Sequence, residues 1–556
     1  MANDGSPFEA GAPRVWTIPP GEDFLKLLSG ALASGSGLAD RPDALADAII
    51  YVPNRRSARA LSLVLYEASG EKAILPPDIR ALGDLESDDA PPVKESALAD
   101  LLPALSPAKR LGALAAMVQA YYRSVFEREL PPSSALAAAQ ELGRLLDQAQ
   151  LSENVDWGPL PELAKEADLA GHWANSAKFL EIVTTAWPDW LAEQGVMDPM
   201  ARRLAAAEAM AADWMRKPPT APVIIAGSTG ATPASRVLMK AALRLSQGMV
   251  VLPGLDTGMQ PDAHENVLKE VSHPQFALLD TLRELGVDVA DVVEWPGVSE
   301  SASRRARRQI IHEALAPADD TADWRETLDA LAAQSGERLE KFAEIALDGL
   351  SVIEAPDEAA EASAAALMLR EALETPGRTA ALVTPDAGLG RRVSALLRRW
   401  GVDVPPSAGT PLGRTPAGSF IGLCANWSAD PGDPVRLLSV LKHKLATGIP
   451  GLADLEIHFL RGPRRWGSLD ELVESIRTRH EIEPYPSFRA EHQKQAQALV
   501  RQLADTMRET GADFSGMAAL RGAEAVERIA DLASAISETP LPWAGEDGAV
   551  ASRLLE

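Results

Sequence analysis

The sequence predicts an α/β protein with two parallel-sheet domains and large helical insertions. Short apolar runs alternate with amphipathic helical patterns near the amino terminus and again after residue 345, which is typical of parallel sheets. Between these sections lie long Ala- and Leu-rich segments with almost no β-branched runs. The chain has 556 residues, more than one hydrophobic core usually serves, so several domains are expected.

The first domain begins with two strand and helix pairs. Residues 14–21 (RVWTIPPG) form an apolar run that ends at a Pro-Pro-Gly turn, and DFLKLLSGALAS follows with helical spacing. A second run, AIIYVP at 48–53, precedes the helical pattern of NRRSARALSLVLYEAS. We assign residues 1–106 to the first part of this domain and residues 107–215 to a helical insertion. Residues 216–344 form the rest of the domain and a connection, and include the apolar runs VIIAG and GMVVLPG.

Residues 345–428 predict the second α/β domain. GLSVIEAPDEAAEASAAALMLREAL is typical of a strand followed by a helix, and RTAALVTPD precedes the helical pattern LGRRVSALLRRWG. The pattern is helical again afterwards, so we assign residues 429–556 to a helical insertion of the second domain. The final GEDGAVASRLLE begins a helix without a capping or breaking residue at its end, so we expect the sequence to be truncated inside this element.

Charge and cysteine content limit the function classes. Lys and Arg number 54 against 79 Asp and Glu, a net charge of -25, which argues against general adhesion to nucleic acid or an anionic membrane. A polyanion would therefore have to meet a local basic patch. The single cysteine, Cys424, excludes an internal disulfide and a cysteine-built metal site in this chain. Because signal-peptide and membrane-span patterns are absent from the sequence, we expect a cytoplasmic protein without a membrane contact.

The stretch APVIIAGSTGATPASRVLMKAAL at residues 221–243 has the outline of a phosphate-binding unit. A phosphate loop needs a Lys followed by Ser or Thr, and the turn here has hydroxyl groups but no Lys. The strand before it ends in Ala226 and Gly227, where a magnesium-holding acid pair would be needed. The turn after the first strand contains Glu22 and Asp23, which should repel a nucleotide. The GSTG turn is therefore interpreted as structural, with phosphate contact as the alternative.

Basic and aromatic clusters have two interpretations each. Arg55 and Arg56 follow a strand at its carboxyl end, the edge on which α/β ligand sites form, and this favours phosphate contact. The other basic clusters, such as the one at 304–308, are interpreted as solvated faces or partners of nearby acids. The tryptophan-rich stretch 172–199 has helical spacing, which favours core packing over a base-stacking platform. No histidine pair with zinc-ligand spacing and no serine-nucleophile signature occurs in the sequence.

Several stretches, in order over nearly the whole chain, resemble AddB subunits of AddAB-type helicase–nucleases in their alphaproteobacterial form. They include VWTIPPGEDFLKLL, VPNRRSARAL, LPPDIRALGDLE, HWANSAKFLEIVTTAWPDWLAEQGVMDPMARR, VIIAGSTGATPASRVLMKAALRLSQGMVVLPGLD, HPQFALLDTLRELGV, EAPDEAAEASAAALMLREALETPGRTAALVTPD, SAGTPLGRTPAGSF and LKHKLA. The resemblance implies two RecA-like domains of the superfamily 1 helicase type with helical insertions. It also implies a C-terminal nuclease domain, with magnesium and an iron–sulfur cluster, that this sequence lacks.

The resemblance implies an ATPase-inactive, helicase-like subunit that pairs with an AddA-like helicase–nuclease subunit. Together they would process DNA ends, and this subunit would guide single-stranded DNA during double-strand break resection for homologous recombination. No cofactor is expected in this chain. We predict strand contacts at Arg55, Arg56, Ser228, Thr229, Thr410 and Lys442. The alternative is an α/β enzyme that binds a phosphorylated metabolite or nucleotide at the Gly227–Gly230 turn.

Overall fold

The structure is a computed structural model that describes most of the chain. The described residues are 7–8, 12–33, 42–70, 75–83, 98, 100–151, 178–259, 261–321, 323–404, 407, 409–446, 449–462, 466–482, 490–515, 522–538 and 548–551. They form a mostly helical α/β protein with one six-stranded parallel sheet. The chain divides into two compact units, residues 1–351 and residues 352–556.

The sheet belongs to the first unit, and all its strands run parallel in the order β3-β2-β4-β5-β1-β6. The strands are β1 (Val15–Ile18), β2 (Ile49–Val52), β3 (Asp78–Ala81), β4 (Val223–Ala226), β5 (Gly248–Pro253) and β6 (Val293–Glu294). The strands predicted at 14–21, 48–53, 223–226 and 248–254 are confirmed. The two edge strands, β3 and β6, were not predicted.

The helices of the first unit cover the sheet, form the insertion or, for the last three, pack around a small core of their own. They are α1 (Phe24–Ala33), α2 (Pro42–Asp47), α3 (Arg55–Ala68), α4 (Pro107–Phe126), α5 (Pro132–Leu151), α6 (Trp187–Gln194), α7 (Pro199–Arg216), α8 (Pro233–Ala242), α9 (Pro261–Val267), α10 (Phe276–Leu285), α11 (Ala302–Ala314), α12 (Trp324–Ser335) and α13 (Leu339–Leu347). A π-helical turn spans Ile182–Ala186, and short 3₁₀ turns span Val289–Asp291 and Ala318–Asp320.

The apolar runs are strands because the sheet is covered on both faces. Successive side chains of a strand point to opposite faces, and here Ile225 and Val250 enter the core formed with α7, α8 and α10. Their neighbours Ile224 and Val251 enter the opposite core, formed with α1 and α3. Strands buried on both faces have continuous apolar sequences, which explains why the central strands are recognisable in the sequence.

The helical insertion leaves the sheet after β3 and returns at β4. Its helices α4 and α5 pack on each other around a separate core that includes Leu114, Val118 and Leu142. Trp187 is buried in this core and stacks on Trp190 with ring centroids 5.4 Å apart. The predicted core role of the tryptophan-rich stretch is confirmed for Trp187, whereas residues 172–177 lie outside the described residues.

The second unit is helical in its described residues. Its helices are α14 (Glu358–Glu374), α15 (Ala387–Arg399), α16 (Pro416–Ala429), α17 (Pro434–Leu441), α18 (Leu452–Leu455), α19 (Leu469–Ile482), α20 (Ala490–Thr510) and α21 (Gly522–Ile536), with a 3₁₀ turn at Leu412–Arg414 and a π-helical turn at Glu456–Leu460. The larger core is formed by α16, α17, α19, α20 and α21 around the buried side chains of Phe420 and Trp427. A smaller core joins α14 and α15.

The second predicted sheet differs from what the structure contains. Residues 350–355 and 378–384 precede α14 and α15, as predicted for strands, but they form no ladder with any described residue. Val352 is 83% exposed and Val383 is 93% exposed. A strand needs a hydrogen-bonded neighbour as well as an apolar sequence, and the described part of 345–428 supplies none.

Candidate functional site

The carboxyl edge of the sheet is the part of the first unit most suited to a ligand. All six strands are parallel, so the turns that follow them meet at one edge, where α/β proteins bind their ligands. The turns after β1, β2, β4 and β5 lead into helices or loops that carry charged or hydroxyl side chains. These turns divide the edge into two regions of different chemistry.

The region after β1 already contains its own anions. Asp23 precedes α1, and its Oδ1 accepts a hydrogen bond from the Lys26 amide at 3.1 Å. Glu22 is 11% exposed and forms an ion pair with Arg304 Nη1 at 2.7 Å. The start of a helix favours an anion because its amides and dipole are positive there. At α1 a side-chain carboxylate takes this role, so the turn is poorly suited to a nucleotide phosphate.

Helix α11 closes this region with its basic cluster. Arg304 binds Glu22, whereas Arg305 and Arg308 both pair with Glu300, at 3.4 Å and 2.9 Å. Arg307 Nε donates to the Ala346 carbonyl at 2.9 Å. The arginines of α11 therefore have intramolecular partners, as the interpretation of this cluster expected.

The far end of α11 is tied to the loop after β5 by a carboxylate and imidazole pair. His312 Nδ1 and Asp256 Oδ2 are 2.7 Å apart, and both side chains are largely buried. The hydrogen bond with Asp256 raises the pKa of His312. Burial raises the pKa of Asp256, but the hydrogen bond and the charge of His312, together with the hydrogen bond from the Gly258 amide, outweigh this effect, so the pKa is lowered overall. The pair is a second anchor of α11 on the carboxyl edge.

A pocket of about 250 Å³ lies in the other region, at the ends of β2, β3 and β4. It is smaller than the roughly 300–1,000 Å³ of most small-molecule sites, so it fits a phosphate group with part of a sugar better than a whole nucleotide. The lining residues are Pro53, Leu82, Gly83, Arg203, Gly227, Ser228, Thr229, Ala231, Thr232, Ala234 and Ser235.

The Gly227–Gly230 turn forms one wall of the pocket and is held rigidly. Gly227 and Gly230 have φ angles of 77° and 70°, which glycine adopts without strain. Thr281 Oγ1 donates to the Thr229 carbonyl at 2.9 Å, and Arg236 Nε donates to the Gly230 carbonyl at 2.7 Å. A Cβ at Gly230 would lie 2.4 Å from Thr281 Oγ1. The close approach of α10 therefore requires glycine at this position, in agreement with the structural interpretation of the turn.

Arg203 reaches the pocket because of how α7 packs. Ala207, Met210 and Trp214 lie on one face of α7 and are buried in the core beside the sheet. The ring centroids of Trp214 and Tyr51 are 5.9 Å apart, so this end of the helix lies against β2. Arg203 is four residues before Ala207 and so continues the same face by one turn. That turn lies beside the pocket.

The pocket favours anions. The described residues that line it include one basic residue, Arg203, and no acidic residue. Ala234 and Ser235 belong to the first turn of the ten-residue helix α8, which is capped by the neutral hydroxyl of Thr232. The positive end of the α8 dipole is therefore not compensated by a capping carboxylate, in contrast to the start of α1.

Four of the six predicted strand-contact residues belong to this edge. Ser228 and Thr229 line the pocket. Arg55 and Arg56 are exposed at the start of α3, directly after Pro53 and the capping residue Asn54. Sequence reasoning missed Arg203, because no local signal marks a residue that the insertion brings to the sheet.

The other two predicted residues lie in the second unit. Thr410 is exposed. Lys442 Nζ forms an ion pair with Glu456 Oε2 at 2.7 Å, so its charge is partly neutralised within the unit.

Other site chemistries are not observed in the described residues. No group of three or more His, Cys, Asp or Glu side chains there is arranged to hold a metal ion. Burial raises the pKa of the Cys424 thiol to about 12, so this thiol is protonated at neutral pH. No helix within the described ranges has the length and apolar character needed to cross a membrane.

Comparison with family models gives no match to this sequence, and comparison with curated proteins gives none either.

Proposed function

We propose that this chain is an ATPase-inactive, helicase-like subunit that guides single-stranded DNA. It would act with an AddA-like helicase–nuclease subunit in a DNA-end-processing complex, during double-strand break resection for homologous recombination in the cytoplasm. The resemblance to AddB subunits provides the biological context, and we assign no cofactor to this chain. Magnesium and the iron–sulfur cluster would belong to the nuclease domain that the resemblance implies.

The contrast between the two regions of the carboxyl edge is the observation that carries this proposal. After β1, Glu22 and Asp23 supply negative charge where an ATPase would bind phosphate. Around β2 and β4, Arg55 and Arg56 are exposed, and the described residues that line the neighbouring pocket include hydroxyl side chains but no acidic residue. Such an edge is poorly suited to ATP but suited to the phosphates of a nucleic acid strand. The helical block between β3 and β4 also supports a RecA-like domain with an insertion.

Replacement of Arg55 and Arg56 by Ala tests this proposal. Each phosphate contact adds about 0.7 to the salt dependence of single-strand binding, so loss of two contacts should lower the slope of log K against log salt by about 1.4. The measurement is fluorescence anisotropy of a labelled oligo-dT strand at several salt concentrations, with and without the AddA-like subunit. We expect weaker binding and a smaller slope.

A double variant with the same loss of charge is the control. Arg144 and Arg477 are exposed, and each pairs with a glutamate three residues earlier on its own helix. Their replacement by Ala should leave affinity and slope nearly unchanged. Equal effects of the two double variants would remove Arg55 and Arg56 from the interface. If the wild-type chain adds nothing to strand binding by the partner, the proposed function is wrong.

The pocket itself favours one alternative, an α/β enzyme that binds a phosphorylated metabolite or nucleotide at the Gly227–Gly230 turn. A ligand that binds only the folded state at 100 times its Kd stabilises that state by about 2.7 kcal/mol. A set of sugar phosphates and nucleotides should then include one that raises the melting temperature clearly. The DNA proposal predicts no such compound with micromolar affinity, because the pocket has room for a phosphate group and only part of a sugar.

A further inference from the structure

We propose that the pocket at the ends of β2, β3 and β4 binds one phosphate group, with Arg203 as its counter-charge and Ser228 as a hydroxyl donor. This inference rests on the proposed function for the source of the phosphate, which is the backbone of the guided strand. The inference adds Arg203, a residue of the helical insertion, to the predicted strand contacts. It also implies that one particular phosphate of the bound strand is held in the pocket.

The size and composition of the pocket support a single phosphate. Its volume of about 250 Å³ leaves little room for a base beside a sugar phosphate. The described residues that line it include four with hydroxyl side chains, Ser228, Thr229, Thr232 and Ser235, and one basic residue, Arg203. Guanidinium groups bind phosphate through two parallel hydrogen bonds, which gives them a geometric advantage over lysine. No acidic residue among the described lining residues opposes an anion.

The hydroxyl of Ser228 is oriented so that it can donate a hydrogen bond to a ligand. Ser228 Oγ accepts a hydrogen bond from the Gly230 amide at 3.2 Å, so its own hydrogen can be donated to a ligand. The turn that carries it is held by Thr281 and Arg236. A rigid donor loses little conformational freedom when it binds. The Ser228 hydroxyl is therefore preorganised in the free protein.

The start of α8 adds a third favourable contribution. Thr232 Oγ1 accepts from the Ser235 amide at 3.3 Å and lies 2.8 Å from Ser235 Oγ. This cap is neutral, so the positive end of the helix dipole remains available to an anion. Arg203, Ser228 and the first turn of α8 all contribute to the lining of the same pocket.

The variant Arg203→Gln tests this assignment, and Arg202→Gln is its matched control. Arg202 is the adjacent residue on α7, it does not line the pocket, and its Nε donates to the Leu102 carbonyl at 2.9 Å. Both variants lose one positive charge. We expect R203Q to weaken binding of a 5′-hydroxyl oligo-dT strand about tenfold and to lower its salt slope by about 0.7. R202Q should change the affinity less than twofold.

Neutral methylphosphonate linkages locate the contact on the strand. One linkage at a time is replaced in a strand of fixed length, and each strand is measured with wild type and with R203Q. We expect one position at which the neutral linkage weakens wild-type binding but leaves R203Q binding unchanged. The second possible source of the phosphate is the 5′ end of the strand. If the pocket binds a terminal phosphate, adding a 5′-phosphate should strengthen wild-type binding but not R203Q binding, and no internal methylphosphonate should have this effect.

Inorganic phosphate tests the pocket independently of DNA. In phosphate, compared with chloride at the same ionic strength, hydrogen exchange should slow in peptides that cover residues 227–236 of the wild type but not of R203Q. Equal exchange in both proteins, together with equal strand affinities for R203Q and R202Q, would overturn the assignment. If the wild type binds no strand, the proposed function fails, and the phosphate titration alone decides whether the pocket binds phosphate.

Discussion

Replacement of Asp198 by Ala should destabilise the helical insertion strongly. Asp198 precedes α7 and its side chain is only 1% exposed. One carboxylate oxygen accepts from Arg110 Nε at 2.9 Å and from Trp187 Nε1 at 3.2 Å. The other accepts from the Met200 amide at 3.1 Å and so caps α7. One side chain therefore joins α4, α6 and α7.

The expected cost follows from these contacts. Loss of a helix cap costs about 1 kcal/mol, and each buried donor left without an acceptor costs about 1–3 kcal/mol. Arg110 keeps its second ion pair, with Asp147 at 2.8 Å, which limits the loss. We expect a local destabilisation of about 3–5 kcal/mol, as for other buried pairs from which one partner is removed. Asp198→Asn, which keeps the shape and one acceptor oxygen, should cost less than Asp198→Ala.

Hydrogen exchange measured by mass spectrometry reports this change locally. About 1.4 kcal/mol corresponds to a factor of ten in the opening equilibrium. Peptides within residues 107–216 should therefore exchange roughly 100 times faster, or more, in the Ala variant. Arg144→Ala breaks an ion pair whose two side chains are 67% and 68% exposed, so it should change exchange little. Exchange in Asp198→Ala within about threefold of the wild type would refute the assignment of Asp198 as the central buried contact.

Two further predictions concern the carboxyl edge. Gly230→Ala should destabilise the first unit by about 1–3 kcal/mol more than Gly70→Ala. Both glycines have φ near 70°, but only the new Cβ at Gly230 would meet Thr281. Equal melting temperatures for the two variants would contradict this prediction. The pair of His312 with Asp256 should stabilise the fold fully below the ordinary histidine pKa of 6.5, and this contribution should be lost as pH rises through the raised pKa of His312. His312→Gln should therefore remove part of the loss of thermal stability between about pH 6 and pH 9, and an unchanged pH profile would show that the pair contributes nothing.

The success of strand prediction depended on burial. The central strands β2 and β5 contain unbroken apolar runs because helices cover both of their faces. The edge strands differ: β3 has the sequence Asp-Ile-Arg-Ala and β6 contains only Val293 and Glu294. Each has a single neighbouring strand, so its sequence needs less apolar character. Such short edge strands carry little periodic signal.

The apolar runs of the second unit give the opposite result. Residues 350–355 and 378–384 have strand-like sequences, yet Val352 and Val383 are highly exposed. An apolar pattern reports what a segment can bury, whereas a strand also requires a neighbour that completes its hydrogen bonds. In the first unit these neighbours come from segments far apart in the sequence, such as β1 and β5. The local sequence of a strand does not contain this information.

The same distinction applies to the pocket residues. Ser228 and Thr229 could be selected from the sequence because a turn after an apolar strand must lie at the carboxyl edge. Arg203 could not, because it precedes the turn by an entire helix and belongs to the insertion. Its place depends on Ala207 and Trp214, which pack α7 against the sheet core and leave the preceding helical turn beside the pocket. Arg203 is thus positioned by the packing of residues one and three turns further along its own helix, and this relation is visible only in the folded protein.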